Sequence, residues 1–127
     1  MNIFIYGSLK RGFSNHAFME RLGAIYINDA TTYYSDFDLL NLGAFPGMVY
    51  GKFRVRGEIF SIEAEKLYRL DSFEGSPGFY ARQPIVVLTD DGVRYGVQTY
   101  ILQSQYRSKI LPVKTFFNSE AKIWKEQ

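Results

Sequence analysis

The sequence predicts an α+β fold, rich in strands with only a few short helices. Ten tyrosines and eleven phenylalanines, many beside valine or isoleucine, favour strands over a helical bundle. Helical periodicity is confined to short stretches, the first two closed by a glycine. A length of 127 residues with 46% hydrophobic content suits one compact domain over residues 1–127.

Asn2-Ile3-Phe4-Ile5 reads as a buried opening strand. Tyr6-Gly7-Ser8-Leu9 breaks it into a glycine turn, followed by Lys10-Arg11-Gly12, so consecutive backbone amides and positive charge fall in one place. Such a turn can hold an anion. Ser14 is placed to cap a short helix through Leu22, with Phe18 and Leu22 on its buried face and Gly23 as its stop. Two β-branched and aromatic runs, 24–34 and 37–42, predict strands about a Ser35-Asp36 turn. Gly43-Ala44-Phe45-Pro46-Gly47-Met48 predicts a loop on the surface or along a cleft, because Pro46 denies a ladder its donor.

The next strand, 53–62, places Arg56, Glu58, Phe60 and Ile62 on one face and Val55, Gly57 and Ile59 on the other. Residues 64–73 turn helical, with Leu67 and Leu70 on one stripe and Gly75 as a left-handed stop. A hairpin of 80–89 with 93–102 follows around Asp90-Asp91-Gly92. Near the end, 119–125 has a helical pattern and carries the single tryptophan, Trp124.

Composition narrows the chemistry. A net charge of +2, with basic residues scattered among acidic ones, gives no nucleic-acid footprint. The absence of cysteine removes a thiol nucleophile and thiolate-bound metal, and a single histidine, His16, leaves no metal cluster to expect. No apolar run is long enough for a bilayer-spanning helix and no signal-peptide pattern opens the chain, so a cytoplasmic location is expected.

Glu74 is the carboxylate of greatest interest. It falls seven residues after Leu67, nearly on the same buried stripe, and in the last turn of its helix, where the dipole disfavours a negative charge. Burial and dipole both raise its pKa, which suits a residue that takes and returns a proton near neutral pH. A frayed helix end, or pairing with Arg82 or Arg69, would instead leave it an ordinary acid. Glu58, on a strand between Arg56 and Phe60, reads as a cross-strand partner. His16 has no adjacent acid to orient it and reads as a hydrogen-bonding support. Ser8 has no evident base, and Tyr6 and Tyr80 suit core aromatics with a polar tip.

In order, Tyr6-Gly7-Ser8-Leu9, Gly12 with Asn15-His16, Phe45-Pro46-Gly47-Met48, Val55-Arg56-Gly57-Glu58, Leu70-Asp71-Ser72-Phe73-Glu74-Gly75 and Tyr80-Ala81-Arg82 resemble the gamma-glutamylcyclotransferase-like (AIG2-like) family. The resemblance implies a small mixed β-barrel with short flanking helices. It also implies release of 5-oxoproline from a small gamma-glutamyl amine or peptide, without a cofactor. Glu74 is then the catalytic base and acid, Tyr6, Gly7, Ser8 and Leu9 bind the substrate with Tyr80 beside it, and Arg82 and Glu58 are structural. After Tyr100 the chain departs from the Gly-Asp-Trp-like ending of many relatives, which leaves the leaving amine open. Two other readings stand beside this one: a non-catalytic module that binds a small carboxylate on the same turn, and a hydrolase that pairs Glu58 with Glu74.

Overall fold

The computed structural model describes residues 1–126. Its strands are β1 (Asn2–Ile5), β2 (Ile25–Thr32), β3 (Phe37–Asn41), β4 (Pro46–Tyr50), β5 (Arg54–Ser61), β6 (Tyr80–Thr89), β7 (Arg94–Leu102) and β8 (Ala121–Lys122). The helices are α1 (His16–Arg21) and α2 (Leu67–Glu74), the latter led in by a 3₁₀ turn at Ala64–Lys66.

Antiparallel pairing runs from β1 to β5 to β2 to β6 to β7, and a parallel contact between Ile3 of β1 and Gln98 of β7 closes the ring. This is the small mixed barrel expected of the α+β fold. From β7 the sheet continues into β4 and β3, and β8 lies parallel to β5.

The two-residue period of a strand divides the core in two. Phe4, Ile59, Ala30, Val87 and Val97 come one from each strand of the ring and pack inside it. Ile3, Ile5, Phe60 and Leu102 face outward, where Met19 and Leu22 of the first helical segment and Leu67 and Leu70 of α2 cover them. Leu70 and Met19 are fully buried. Each such side chain contributes roughly 1.5–3 kcal/mol of apolar burial, which fixes the helices against the barrel wall.

Three local expectations are corrected. Residues 46–48 are not loop: Pro46 opens β4, where its missing donor costs nothing because it is the strand's first residue. Ser14 does not cap α1. Asn15 occupies that position without a side-chain cap bond, and Ser14 is turned toward the C-terminal segment. Residues 119–125 are not helical either. Ala121 and Lys122 pair with Arg54 and Val55, and Ala121 and Trp124 are buried, so an open strand edge overrides a local helical pattern. The hairpin stands as expected, from Tyr80↔Leu102 to Leu88↔Arg94.

Candidate active site

At the end of β1 the chain leaves the barrel wall through Tyr6 and enters the glycine turn. Gly7 is required there by close approach, because a Cβ would meet Pro46 Cδ at 2.9 Å. The turn closes by Lys10 N donating to Gly7 O at 3.1 Å and Asn15 N to Ser8 O at 2.9 Å. His16 Nδ1 lies 2.8 Å from Leu9 O; a carbonyl only accepts, so this nitrogen carries the proton and His16 braces the turn. Asn15 Nδ2 donates to Ser8 Oγ at 3.0 Å, which leaves Ser8 in the local support role expected of it.

The amides of Gly7, Ser8 and Leu9 donate to no other group among the described residues. Gly7, Ser8 and Leu9 line a cavity of about 390 Å³, whose lining also includes Tyr6, Asn15, Phe45, Phe73, Glu74 and Tyr80. The proline loop region therefore lines a cleft, although part of it is strand.

Glu74 reaches this cavity from the last turn of α2, ahead of Gly75, which adopts φ 64° and ends the helix as predicted. Neither arginine that could have neutralised it does so. Arg82 Nε donates to Asp71 Oδ1 at 2.9 Å, and Arg69 Nε donates to the Tyr68 hydroxyl at 3.2 Å. Burial, with no opposing charge, pushes the Glu74 carboxyl up to about 8.

The tyrosines are committed elsewhere through their hydroxyls. Tyr6 donates to Tyr100 O at 2.7 Å and accepts from Met48 N at 3.0 Å, while Tyr80 donates to Pro46 O at 2.6 Å. Burial raises both phenols, so they stay neutral where they line the cavity. Tyr80 also secures Pro46, the residue on which Gly7 rests.

Glu58 stands apart from this cavity. Its Oε1 accepts from Arg11 N at 2.9 Å and its Oε2 from Arg11 Nε at 3.2 Å, so it anchors the far end of the turn. This pairing removes the carboxylate pair that a Glu58–Glu74 hydrolase requires.

Sequence reasoning missed several groups. Asp71 accepts from Arg82 and from the Tyr100 hydroxyl at 2.6 Å, tying α2 to β6 and β7 and orienting Glu74 one turn later. Its place in the motif three residues before Glu74 was the available signal. Phe45, Phe73 and Phe79 line the cavity from separate segments; Phe45 and Phe73 stand within the quoted motifs, but nothing local marks their rings as cavity wall. Among the described residues no cluster of three His, Cys, Asp or Glu could hold a metal, and no helix is long and apolar enough to cross a membrane.

Residues 3–120 match the family described as gamma-glutamyl cyclotransferase, AIG2-like, and the chain belongs to that family, an enzyme class of cyclotransferases. The Escherichia coli gamma-glutamylcyclotransferase family protein YtfP is 36% identical over 88 residues, covering 67% of this chain and 72% of its own. An AIG2-like protein of Mus musculus superposes with a TM-score of 0.80 at 27% identity, over 98% of this chain and 87% of its own. A gamma-glutamyl cyclotransferase structure shares the fold, with a TM-score of 0.66 at 21% identity over 81% of this chain and 66% of its own.

Proposed function

We propose that this pocket cyclises a small gamma-glutamyl amine or peptide, releasing 5-oxoproline and the free amine. The observation that carries the reading is the unpaired Glu74 carboxyl in the same cavity wall as the bare Gly7, Ser8 and Leu9 amides. The amides hold the substrate's α-carboxylate, folding the glutamyl chain so that its α-amine meets its own γ-carbonyl. Nucleophile and electrophile then belong to one molecule, and proximity supplies much of the acceleration.

The neutral α-amine attacks the γ-carbon, forming the lactam C–N bond and passing one proton to the Glu74 carboxylate. The tetrahedral oxyanion collapses with cleavage of the bond to the outgoing nitrogen. Glu74 returns the same proton to that nitrogen, so the carboxylate is regenerated and no electrons are exchanged. Tyr6 and Tyr80 serve as walls and supports, in keeping with their committed hydroxyls.

Mass spectrometry of gamma-glutamyl amines and dipeptides with the purified protein tests this reading. The wild type is expected to release 5-oxoproline, and Glu74→Gln to release it about 10²–10⁴-fold more slowly while retaining fold and binding. Normal turnover by Glu74→Gln removes the assignment of Glu74. Binding of these compounds by the wild type without any product favours the non-catalytic carboxylate binder.

A further inference from the structure

Gly7, Ser8 and Leu9 line the cavity shared with Glu74, and the residues that follow them line a second one, of about 480 Å³. Lys10 and Phe13 border this second cavity from the turn, and Trp124 and Glu126 border it from the segment after β8. Where a cavity intervenes, close packing is interrupted and polar bonds must hold the two segments together. Lys10 makes the buried tie. It is 5% exposed, and its Nζ donates to Trp124 O at 2.9 Å and lies 4.4 Å from the centre of the Phe13 ring. That carbonyl is the only acceptor its ammonium has among the described residues. An ammonium is costly to bury, and burial lowers Lys10 to about 8, with Glu58 and Asp29 opposing the fall and Arg56 and Lys125 adding to it.

Lys10 also belongs to the turn through its backbone. Its N–H donates to Gly7 O at 3.1 Å and its carbonyl accepts from Phe13 N at 3.0 Å, so its position governs how the turn closes. The segment that it holds is itself fixed. β8 pairs with Arg54 and Val55 of β5, Lys122 Nζ lies 2.7 Å from Asp38 Oδ1, and Ile123 N donates to Thr115 O at 3.0 Å. The barrel wall therefore reaches the turn by two routes: directly from Glu58 to Arg11, and through β8, Trp124 and Lys10.

We propose that Lys10 is a positioning residue for the cyclotransferase site: its ammonium clasps the turn of Gly7, Ser8 and Leu9 to residues 121–126, and this clasp sets the turn's grip on the substrate carboxylate. The inference rests on the reading of that turn as the carboxylate site. Lys10 does not line the cavity that holds Glu74, so its contribution falls on binding and not on proton transfer. Such coupling is reciprocal, and whatever the clasp adds to carboxylate affinity a bound carboxylate returns to the clasp.

Lys10→Met keeps the unbranched stem and removes the ammonium. 5-Oxoproline, the proposed product, carries the carboxylate without turning over and serves as the probe. NMR titration is expected to give a Kd about tenfold higher in Lys10→Met than in the wild type, the scale of one lost hydrogen bond to a charged group. Hydrogen exchange of residues 119–126 is expected to slow on binding of 5-oxoproline to the wild type, and to ignore the probe in Lys10→Met. With a gamma-glutamyl substrate, KM should rise by the same factor while kcat holds within about threefold. The urea midpoint should move little, because the substitution also ends the burial of a charge. Lys10→Arg keeps a charged donor beside a cavity with room for it, and should bind the probe within about threefold of the wild type.

An unchanged Kd in Lys10→Met overturns the proposal, as does failure of the wild type to bind the probe, or exchange of residues 119–126 that the probe leaves unaltered. A loss of affinity matched by a lower urea midpoint, or a kcat that falls as far as KM rises, marks a merely structural role and overturns it too. If Lys10→Met does not fold, the wild-type exchange and Lys10→Arg decide the matter. Probe binding that protects residues 119–126, with no 5-oxoproline from any gamma-glutamyl compound, upholds the clasp and removes the cyclotransferase reading. Turnover that Lys10→Met leaves unaltered removes the clasp and keeps that reading.

Discussion

The two sides of the segment from Gly7 to Ser14 are built oppositely. On one side, Gly7, Ser8 and Leu9, whose amides have no protein acceptor among the described residues, line a cavity shared with the unpaired Glu74. On the other, Glu58, Lys10 and Glu126 are all taken. Glu58 accepts from Arg11, Lys10 Nζ donates to Trp124 O at 2.9 Å, and Glu126 accepts from Ser14 N at 2.8 Å and Ser14 Oγ at 2.6 Å. Burial lowers Lys10 to about 8, against the pull of Glu58, and its carbonyl partner holds it in place. Two glutamates near one turn thus have separate duties. The satisfied one fixes the loop, and the unsatisfied one keeps its proton chemistry available.

Removing the reactive side has the largest expected effect. Glu74→Gln should reduce 5-oxoproline release by about 10²–10⁴-fold, the range for a general acid–base residue; assays at saturating substrate check this. The same substitution should alter the pH dependence of stability. The folded Glu74 pKa of about 8 lies above its unfolded value, so the native state holds the extra proton between the two. The resulting stabilisation is complete below about pH 4 and is lost as pH rises through 8, on the order of 5 kcal/mol. Urea unfolding from pH 5 to 9 should show this decline in the wild type and a flatter profile in Glu74→Gln.

Substitutions on the satisfied side should act through structure. Glu58→Gln loses its charge-assisted pairing with Arg11 and is expected to cost about 1–2 kcal/mol in denaturant unfolding. Its effect on KM should exceed its effect on kcat, because the turn's anchor moves and the proton carrier does not. Ser14→Ala and Glu126→Gln come last. Their bonds are exposed, so stability should change by less than about 1 kcal/mol, and KM should rise a few-fold from a looser turn. If either changes kcat as strongly as Glu74→Gln, the division between the two sides fails.

The parts of this arrangement visible in the sequence are the local ones. The opening strand, the glycine turn, the hairpin and the placement of Glu74 follow from periods of 2 and 3.6 with glycine stops. Gly75 and the Leu67–Leu70 stripe fix where the acid points. The supports were hidden because they join distant segments: Tyr6 to Tyr100, Lys10 to Trp124, and Ser14 to Glu126. Local pattern misread residues 119–125 for the same reason, since the free edge of β5 that draws them into β8 lies more than sixty residues earlier. Asp71 was in plain view within the Glu74 motif. Its role emerged only when Arg82 and Tyr100 arrived from another hairpin.

The contrast between the two glutamates is measured most directly by ¹³C NMR titration of protein labelled at glutamate side-chain carboxyls, comparing the wild type with Glu74→Gln. One resonance with a midpoint near 8, absent from the Glu74→Gln spectrum, is the predicted result. A Glu74 resonance that titrates near 4.5, as an ordinary solvated carboxylate does, contradicts the account.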